Sequence, residues 1–217
     1  MFRQMLYTQW KWARLELIAY TLAGFLIPTA MLRTGFAYYN GYSNDAVMGT
    51  VQGIGAFFVV LALACAMGFA VRPWIADAAL GHVCALSLPL RWSSYVRLRF
   101  LAGALLLVVP TLGVWLGGVM ATAVTALPPT LHAYPGGVAI RFAMSALLFY
   151  AVFFLLQYGT GRRATKVAVA FLLALVVVEL AGRLVGLSDP ALAVWNALTT
   201  WPGPFETFTA RWMLIDV

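Results

Sequence analysis

The sequence predicts an all-α integral membrane protein, built as a polytopic bundle of hydrophobic helices. Hydrophobic residues make up 63% of the 217 residues and charged residues only 10%, whereas about 25% are charged in an average soluble domain. The charges are clustered. They leave four or five nearly charge-free stretches, each about as long as the ~20 residues that a helix needs to cross hydrocarbon. A soluble fold of this length could not cover so much apolar surface.

The net charge of +7 indicates membrane topology and not nucleic-acid binding, because the basic residues stand at the ends of apolar runs. Cys65 lies inside an apolar run and Cys84 in the polar segment after it, which is typical of free thiols. The two histidines, His82 and His132, are too few for a metal site, and no metal is expected.

The first residues alternate aromatic and basic side chains, among them Tyr7, Trp10, Lys11 and Arg14. Tryptophan and tyrosine prefer the headgroup level, and basic residues bind anionic lipid. Residues 1–14 are therefore predicted to form an amphipathic interfacial helix on the membrane surface. An unstructured basic segment is the alternative.

A transmembrane domain is predicted over residues 15–187, and its first span covers about 15–32. A basic region ahead of an apolar one also fits a signal peptide, but the length of the stretch and its aromatic flanks favour a retained span. A polar, turn-rich loop at 33–45 leads to the second span, at about 47–71.

Two pairs of glycines spaced four residues apart predict places where helices approach each other closely. Gly49 and Gly53 lie in the second span, and Gly113 and Gly117 lie in the third apolar stretch. Each pair puts its small residues on one face of a helix, so each is a candidate packing seam.

The third apolar stretch, about 100–127, is longer than a perpendicular crossing requires and contains Pro110. Tilt or a proline kink is therefore expected. A fourth span at about 138–157 and a fifth at about 167–187 flank a small basic loop at 159–166. The prediction is thus five spans.

The tail, residues 188–217, contains no stretch that is both long and apolar enough to span. Its hydrophobic residues recur at three-residue steps in 190–201 and again in 205–215, after a Pro-Gly-Pro break. This pattern predicts two short external helices that lie on the membrane or re-enter it. An ordinary interfacial tail is the alternative.

The distribution of charge favours a multi-pass protein of the cell's inner (cytoplasmic) membrane with its N-terminus in the cytoplasm. In that orientation ten of the 14 lysine and arginine residues lie inside. The four on or toward the outside are Arg33, Arg141, Arg183 and Arg211.

Glu179 and Arg183 are ionisable residues within the predicted fifth span, in the order that favours a helical ion pair. They mark a pathway, an interface or a coupling site, or else Arg183 snorkels to the outer surface and neutralises Glu179. The sequence has no phosphate loop, Gly-x-Ser-x-Gly or His-Glu-x-x-His motif, so no ATPase or hydrolase site of its own is expected. A small intramembrane enzyme that uses Glu179 or His132 is a further reading.

The segment between the second and third spans carries the most information about function. Its sequence from Asp77 to Arg97 resembles the coupling region of the permease subunits of type 2 ABC exporters, where a short rigid helix lies between two spans. The likeness is carried by Leu86, Pro89, Arg91, Tyr95 and Arg99. Pro89 is suited to ending such a helix before the next one begins.

This resemblance implies a coupling helix at about 73–88 that docks on an ATP-binding subunit. It assigns that contact to Asp77, Leu80, Gly81, His82, Leu86, Pro89 and Arg91. It assigns a second, weaker cytoplasmic contact to Gly161, Arg162 and Arg163. ATP and Mg²⁺ would bind in the partner subunit, and this chain would hold no cofactor.

The family plan has six spans, with two short external helices before the last, and this sequence supplies no sixth span. The resemblance implies a permease subunit that pairs with a second permease chain, identical or paralogous, and with ABC ATPase subunits. Such a complex exports a hydrophobic or amphipathic substrate and contacts membrane lipid. The alternative is a non-transport membrane scaffold or an assembly subunit of a larger complex.

Overall fold

A computed structural model describes residues 2–38, 44–79, 91–125, 127, 130–160 and 213–216. Helices contain 91% of these residues, so the helical class predicted from composition is confirmed. In chain order the elements are α1 (Phe2–Tyr38), α2 (Asn44–Ala79), α3 (Trp92–Leu106), α4 (Val108–Val124), β1 (His132–Ala133), α5 (Pro135–Thr160) and β2 (Ile215–Asp216).

Four helical stretches are long and apolar enough to cross a membrane. They are Phe2–Thr34, Val47–Ala79, Trp92–Val124 and Pro135–Gln157. The first three have 33 residues each, or about 50 Å at the rise of an α-helix, which exceeds the ~30 Å of hydrocarbon. They correspond to the first four predicted spans. The fifth, predicted at 167–187, lies outside the described residues.

The chain divides into two compact units, one formed by Met1–Phe154 with Trp212–Val217 and the other by Leu155–Arg211. The packing described below belongs to the first unit. Of the second unit the structure describes only the last residues of α5.

In the first unit α1 and α2 run antiparallel, and so do α2 and α3, while α4 continues the stretch of α3 after one residue. Near the start of α1, Glu16 Oε1 lies 2.7 Å from Arg72 Nε, close to the end of α2. Gln9 Nε2 donates a hydrogen bond of 2.9 Å to the backbone oxygen of Arg99, in the middle of α3. We call this end of the bundle the basic end, because exposed basic residues gather on its helices. They are Arg3, Lys11, Arg14, Arg72, Arg91 and Arg97.

The first helix differs from the sequence prediction in its continuity. An interfacial helix at 1–14 and a separate span were predicted, but α1 runs without interruption from Phe2 to Tyr38. Its buried face continues across the predicted boundary, through Gln9, Ala13 and Leu17. Because one stripe packs against the bundle throughout, tertiary contacts hold the aromatic and basic turns in line with the span.

Two loops are correspondingly different from those predicted. The polar loop expected at 33–45 is shorter, since α1 reaches Tyr38 and α2 already begins at Asn44. At the other end, α2 continues through Pro73 to Ala79, so no helix boundary occurs at residue 73, where the coupling helix was predicted to begin. Residues 80–90 lie outside the described part of the chain.

The glycine pair of α4 forms a close contact with α1, as predicted. A methyl group at Gly117 would lie 2.5 Å from the backbone oxygen of Gly24, and one at Gly113 would lie 2.7 Å from the backbone oxygen of Thr21. Backbone approaches backbone at these points, so neither position has room for a side chain. The pair in α2 behaves differently, because a methyl group at Gly49 would meet nothing within 4 Å.

The third apolar stretch consists of α3 and α4, which are separated by one residue three positions before Pro110. Leu107, in a turn between α3 and α4, follows the helical residue Leu106. Pro110 has no N–H to donate to the carbonyl four residues earlier, which is that of Leu106, and its ring also crowds that carbonyl. Leu107 nevertheless keeps helical backbone angles, with φ −63° and ψ −19°, and the tilt or kink expected from Pro110 stays a prediction.

A short antiparallel pairing closes the end opposite the basic end. His132 pairs with Asp216 and Ala133 with Ile215, and Tyr134 N–H donates to the Leu214 carbonyl at 2.8 Å. The second external helix was predicted to reach residue 215. The described end of that segment is instead extended, because its backbone pairs with β1, while residues 190–212 lie outside the described part.

Candidate functional site

The site is a buried ion pair that joins α2 and α3, the two helices on either side of residues 80–90. Asp77 lies in the last turn of α2, and Arg99 lies in the middle of α3, two turns after its first residue. Arg99 Nη1 is 3.0 Å from Asp77 Oδ2, and the side chains are only 1% and 0% exposed respectively. Burial removes the competition of water for both charged groups, so their attraction is much less screened than that of a surface pair.

Tyr95 completes a triangle of hydrogen bonds with this pair. Arg99 Nη1 donates to Tyr95 Oη at 2.6 Å, and Tyr95 Oη donates to Asp77 Oδ2 at 3.0 Å. Tyr95 and Arg99 are four residues apart on one helix, which places their side chains on the same face. The carboxylate thus accepts two hydrogen bonds from α3, and its position is fixed by both.

Aromatic rings enclose the arginine. The Arg99 guanidinium carbon lies 4.2 Å from the centroid of the Trp74 ring, one helical turn before Asp77. Trp92 stacks on Tyr95 with ring centroids 5.5 Å apart and an interplanar angle of 22°. A guanidinium over an indole face gains a cation–π attraction while it stays hydrogen-bonded at its edge. The aromatic residues therefore bury the charge and stabilise it.

The first helix also holds α3 at this level. Gln9, which is 2% exposed, donates to the backbone oxygen of Arg99, and Met5 forms a small buried cluster with Tyr95 and Ala102. This hydrogen bond gives the Gln9 amide nitrogen a partner on the packed face of an otherwise apolar stripe, where buried polar groups need one.

The fourth long helix, α5, reaches the same cluster through aromatic contacts. Phe154 lies 6.2 Å from the Trp74 ring and 5.3 Å from the Phe100 ring, between centroids. Tyr150 Oη donates to the backbone oxygen of Phe100 at 3.3 Å. Side chains from four helices thus converge on one polar cluster, which we call the Asp77 clamp and define as Asp77, Tyr95 and Arg99 with Trp74 and Gln9.

A second ion pair at the basic end is of a different kind. Arg72 and Glu16 join α2 to α1, but the Arg72 side chain is 62% exposed. Exposed pairs are screened and hold flexible side chains at an entropic cost, so they contribute little to stability. The Asp77 clamp is the stronger link between helices.

Most of the residues predicted to contact an ATPase subunit fall outside the described part of the chain. They are Leu80, Gly81, His82, Leu86 and Pro89, and the same holds for Gly161, Arg162 and Arg163 and for Glu179 and Arg183. Arg91 is exposed and adopts an extended backbone directly before α3. Asp77 is buried inside the bundle, so the structure gives it the role of an internal anchor instead of a surface contact.

Sequence reasoning selected Asp77, Tyr95 and Arg99 but did not pair them with one another. It missed Trp74 and Gln9 altogether. Gln9 could have been found, because it lies four residues from both Met5 and Ala13, on the buried face of the helix. The pairing of Asp77 with Arg99 has no comparable signal, since 22 residues separate the two positions.

The described residues offer no group of three or more His, Cys, Asp or Glu side chains that could hold a metal ion. His132 is exposed on β1, with Tyr134 as its ring neighbour at 6.5 Å between centroids. Chemically, the Asp77 clamp is suited to fixing the relative positions of helices and offers no nucleophile or acid–base pair open to a substrate.

Comparison with known proteins identifies no relative, since no family model, no curated protein and no solved structure matches this chain.

Proposed function

We propose that this chain is the membrane-spanning permease subunit of an ATP-driven exporter. In this proposal a partner ATPase binds ATP and Mg²⁺, and its closure pushes on the segment between α2 and α3. That push moves the helices and opens a path for a hydrophobic or amphipathic substrate between two permease chains. The protein lies in the inner membrane, and its N-terminus is on the cytoplasmic side.

One observation carries this proposal most directly, namely that both ends of the segment at 80–90 are fixed to one another by the Asp77 clamp. A force applied to a loop is dissipated if its ends move independently. Here the last turn of α2 and the middle of α3 are joined by a buried ion pair of 3.0 Å. A push on the segment would therefore move α2 and α3 together, which is what a coupling element requires.

The position of Asp77 refines the predicted contact. A side chain that is fully buried and holds two hydrogen bonds from α3 cannot dock on a partner while it keeps them. We therefore assign the docking contact to 80–90, where Leu86 is the main apolar candidate, and we assign Asp77 to transmission.

The charge at the basic end supports the orientation. Six exposed basic residues lie there. The two described acidic residues at that end, Glu16 and Asp77, are held in ion pairs with Arg72 and Arg99. An excess of uncompensated lysine and arginine at one end of a bundle is the pattern of a cytoplasmic face.

The experiment is affinity purification of the tagged protein from membranes of its source organism, followed by identification and ATPase assay of whatever co-purifies. The wild-type chain should retain a phosphate-loop ATPase. Leu86→Asp should lose that partner, whereas the matched control Leu86→Met should keep it. Asp77→Asn should still bind the ATPase but should uncouple its hydrolysis rate from the presence of the permease.

A wild-type chain that retains no ATPase would overturn the proposal and favour the scaffold reading. Retention that Leu86→Asp leaves unchanged would show that the partner binds elsewhere. Equal ATPase rates with the wild-type chain and with Asp77→Asn would show that the Asp77 clamp has no part in coupling.

A further inference from the structure

The first part of α1 carries a surface that the clamp and the coupling segment do not use. Four neighbouring side chains are exposed there, two aromatic and two basic: Tyr7, Trp10, Lys11 and Arg14. Tyr7 is three residues from Trp10 and four from Lys11, and Arg14 is four residues from Trp10 and three from Lys11. On a helix that spacing puts the Cβ atoms about 5–6 Å from each other, so the four side chains form the corners of one compact patch.

The opposite face of the same turns is packed inside the bundle. Met5, Gln9 and Ala13 are buried against neighbouring helices, and the helix cannot rotate without breaking those contacts. The patch is therefore held facing outward. Its side chains therefore contact the lipid, solvent or partner protein around the bundle.

The two cations of the patch have no acidic partner among the described residues. Ion pairs at this end engage Glu16 with Arg72 and Asp77 with Arg99. Lys11 and Arg14 thus present two uncompensated positive charges side by side, and they favour an anion.

The depth of the patch along α1 identifies the kind of anion. The exposed stripe becomes purely aliphatic immediately after it, at Leu15, Ile18, Leu22 and Leu26. From Leu15 to the end of the apolar stretch at Thr34 the helix rises about 30 Å, which is the thickness of the hydrocarbon. The patch accordingly lies at the headgroup level, directly above acyl chains.

We propose that this patch is a binding site for an anionic phospholipid. Lys11 and Arg14 hold the headgroup phosphate by charge-assisted hydrogen bonds. Tyr7 and Trp10 flank it at the interface where amphipathic rings are favoured, and the acyl chains run along the aliphatic stripe beyond Leu15. An acidic protein segment could meet the same charges, but it would gain nothing from the aliphatic continuation.

The test is native mass spectrometry of the purified full-length protein in detergent, titrated with phosphatidylglycerol or phosphatidylcholine of identical acyl chains. Each cation near an anionic headgroup contributes about fivefold in affinity. The wild-type chain should therefore bind phosphatidylglycerol roughly 5- to 25-fold more tightly than phosphatidylcholine. The double variant Lys11→Gln with Arg14→Gln should lose most of that preference.

Arg33→Gln is the matched control, since it removes an exposed arginine from the other end of the same helix. It should leave the preference within about twofold of wild type. Trp10→Leu, which keeps both charges, should weaken both lipids without abolishing the preference. Circular dichroism melting establishes that each variant is folded.

Three results would overturn the proposal. The first is a wild-type chain without preference for phosphatidylglycerol. The second is a loss of preference in Arg33→Gln equal to that of the double variant. The third is displacement of phosphatidylglycerol by free glycerol phosphate at equal concentration, because a soluble anion lacks the acyl chains that the aliphatic stripe accommodates. None of these depends on whether an ATPase partner exists.

Discussion

Asp77 and Arg99 fix the last turn of α2 to the middle of α3 through a buried ion pair of 3.0 Å. Tyr95 bridges the two groups as acceptor from one and donor to the other. The 80–90 segment therefore starts and ends on a rigid base. Its mechanical behaviour depends on that base whatever binds to the segment.

Asp77→Ala is expected to destabilise the protein by about 3–5 kcal/mol, because it leaves the Arg99 charge buried and without its carboxylate. Thermal or chemical unfolding in detergent, followed by circular dichroism, measures this loss. The double variant Asp77→Leu with Arg99→Met should recover much of it, since neither charge is then buried alone. A double variant whose loss of stability equals the sum of the losses of the two single variants would contradict the pairing of Asp77 with Arg99.

Glu16→Gln should change the stability by no more than about 1 kcal/mol, because its partner Arg72 is mostly exposed and the pair is screened. The same unfolding assay, repeated at low and high salt, checks this expectation. The small difference should shrink further as ionic strength rises. An effect as large as that of Asp77→Ala would mean that this pair is also an essential link between helices.

Gly117→Ala should destabilise the bundle by roughly 1–3 kcal/mol, since the added methyl group forces α4 away from the α1 backbone at Gly24. Gly49→Ala is the matched control in α2, where the methyl group meets nothing within 4 Å. It should be neutral or slightly stabilising, because alanine favours a helix interior more than glycine does. Equal effects of the two substitutions would argue against the seam between α1 and α4.

Leu214→Ala should cost about 2–5 kcal/mol, the usual range for emptying a packed apolar site. Leu214 is fully buried, and its side chain approaches the position of Gly118 in α4. Leu26→Ala, on the exposed stripe of α1, provides the comparison and should cost clearly less. If Leu214→Ala and Leu26→Ala have the same melting temperature, the segment at 213–216 does not stabilise the bundle.

The positions of the membrane helices could be predicted because length and charge distribution alone decide where a chain can cross hydrocarbon. The ends of those helices could not. Polar residues such as Arg72 and Asp77 suggested that the second span ends near residue 71 and that a separate helix follows, yet α2 continues through them to Ala79. They remain helical because residues on other helices neutralise them, and those partners are distant in sequence.

The sequence also predicted only part of the candidate site. Tyr95 and Arg99 were singled out by a resemblance in local sequence, but Asp77 was placed on the surface. Its actual burial follows from the antiparallel arrangement of α2 and α3, which brings the end of one beside the start of the other. Trp74 joins the clamp for the same reason, and Gln9 joins it because the first turns of α1 pack beside α3.

The sequence by itself determined that this chain forms long apolar helices able to cross a membrane, and it singled out Gly113 and Gly117 as a packing seam, because hydrophobicity, helix length and residue size act locally. Only the tertiary structure decided that the Asp77 carboxylate turns inward to Arg99 and Tyr95 and that α1 runs unbroken past residue 14. Both depend on which faces meet, and a buried charge is stable only where the fold supplies its partner.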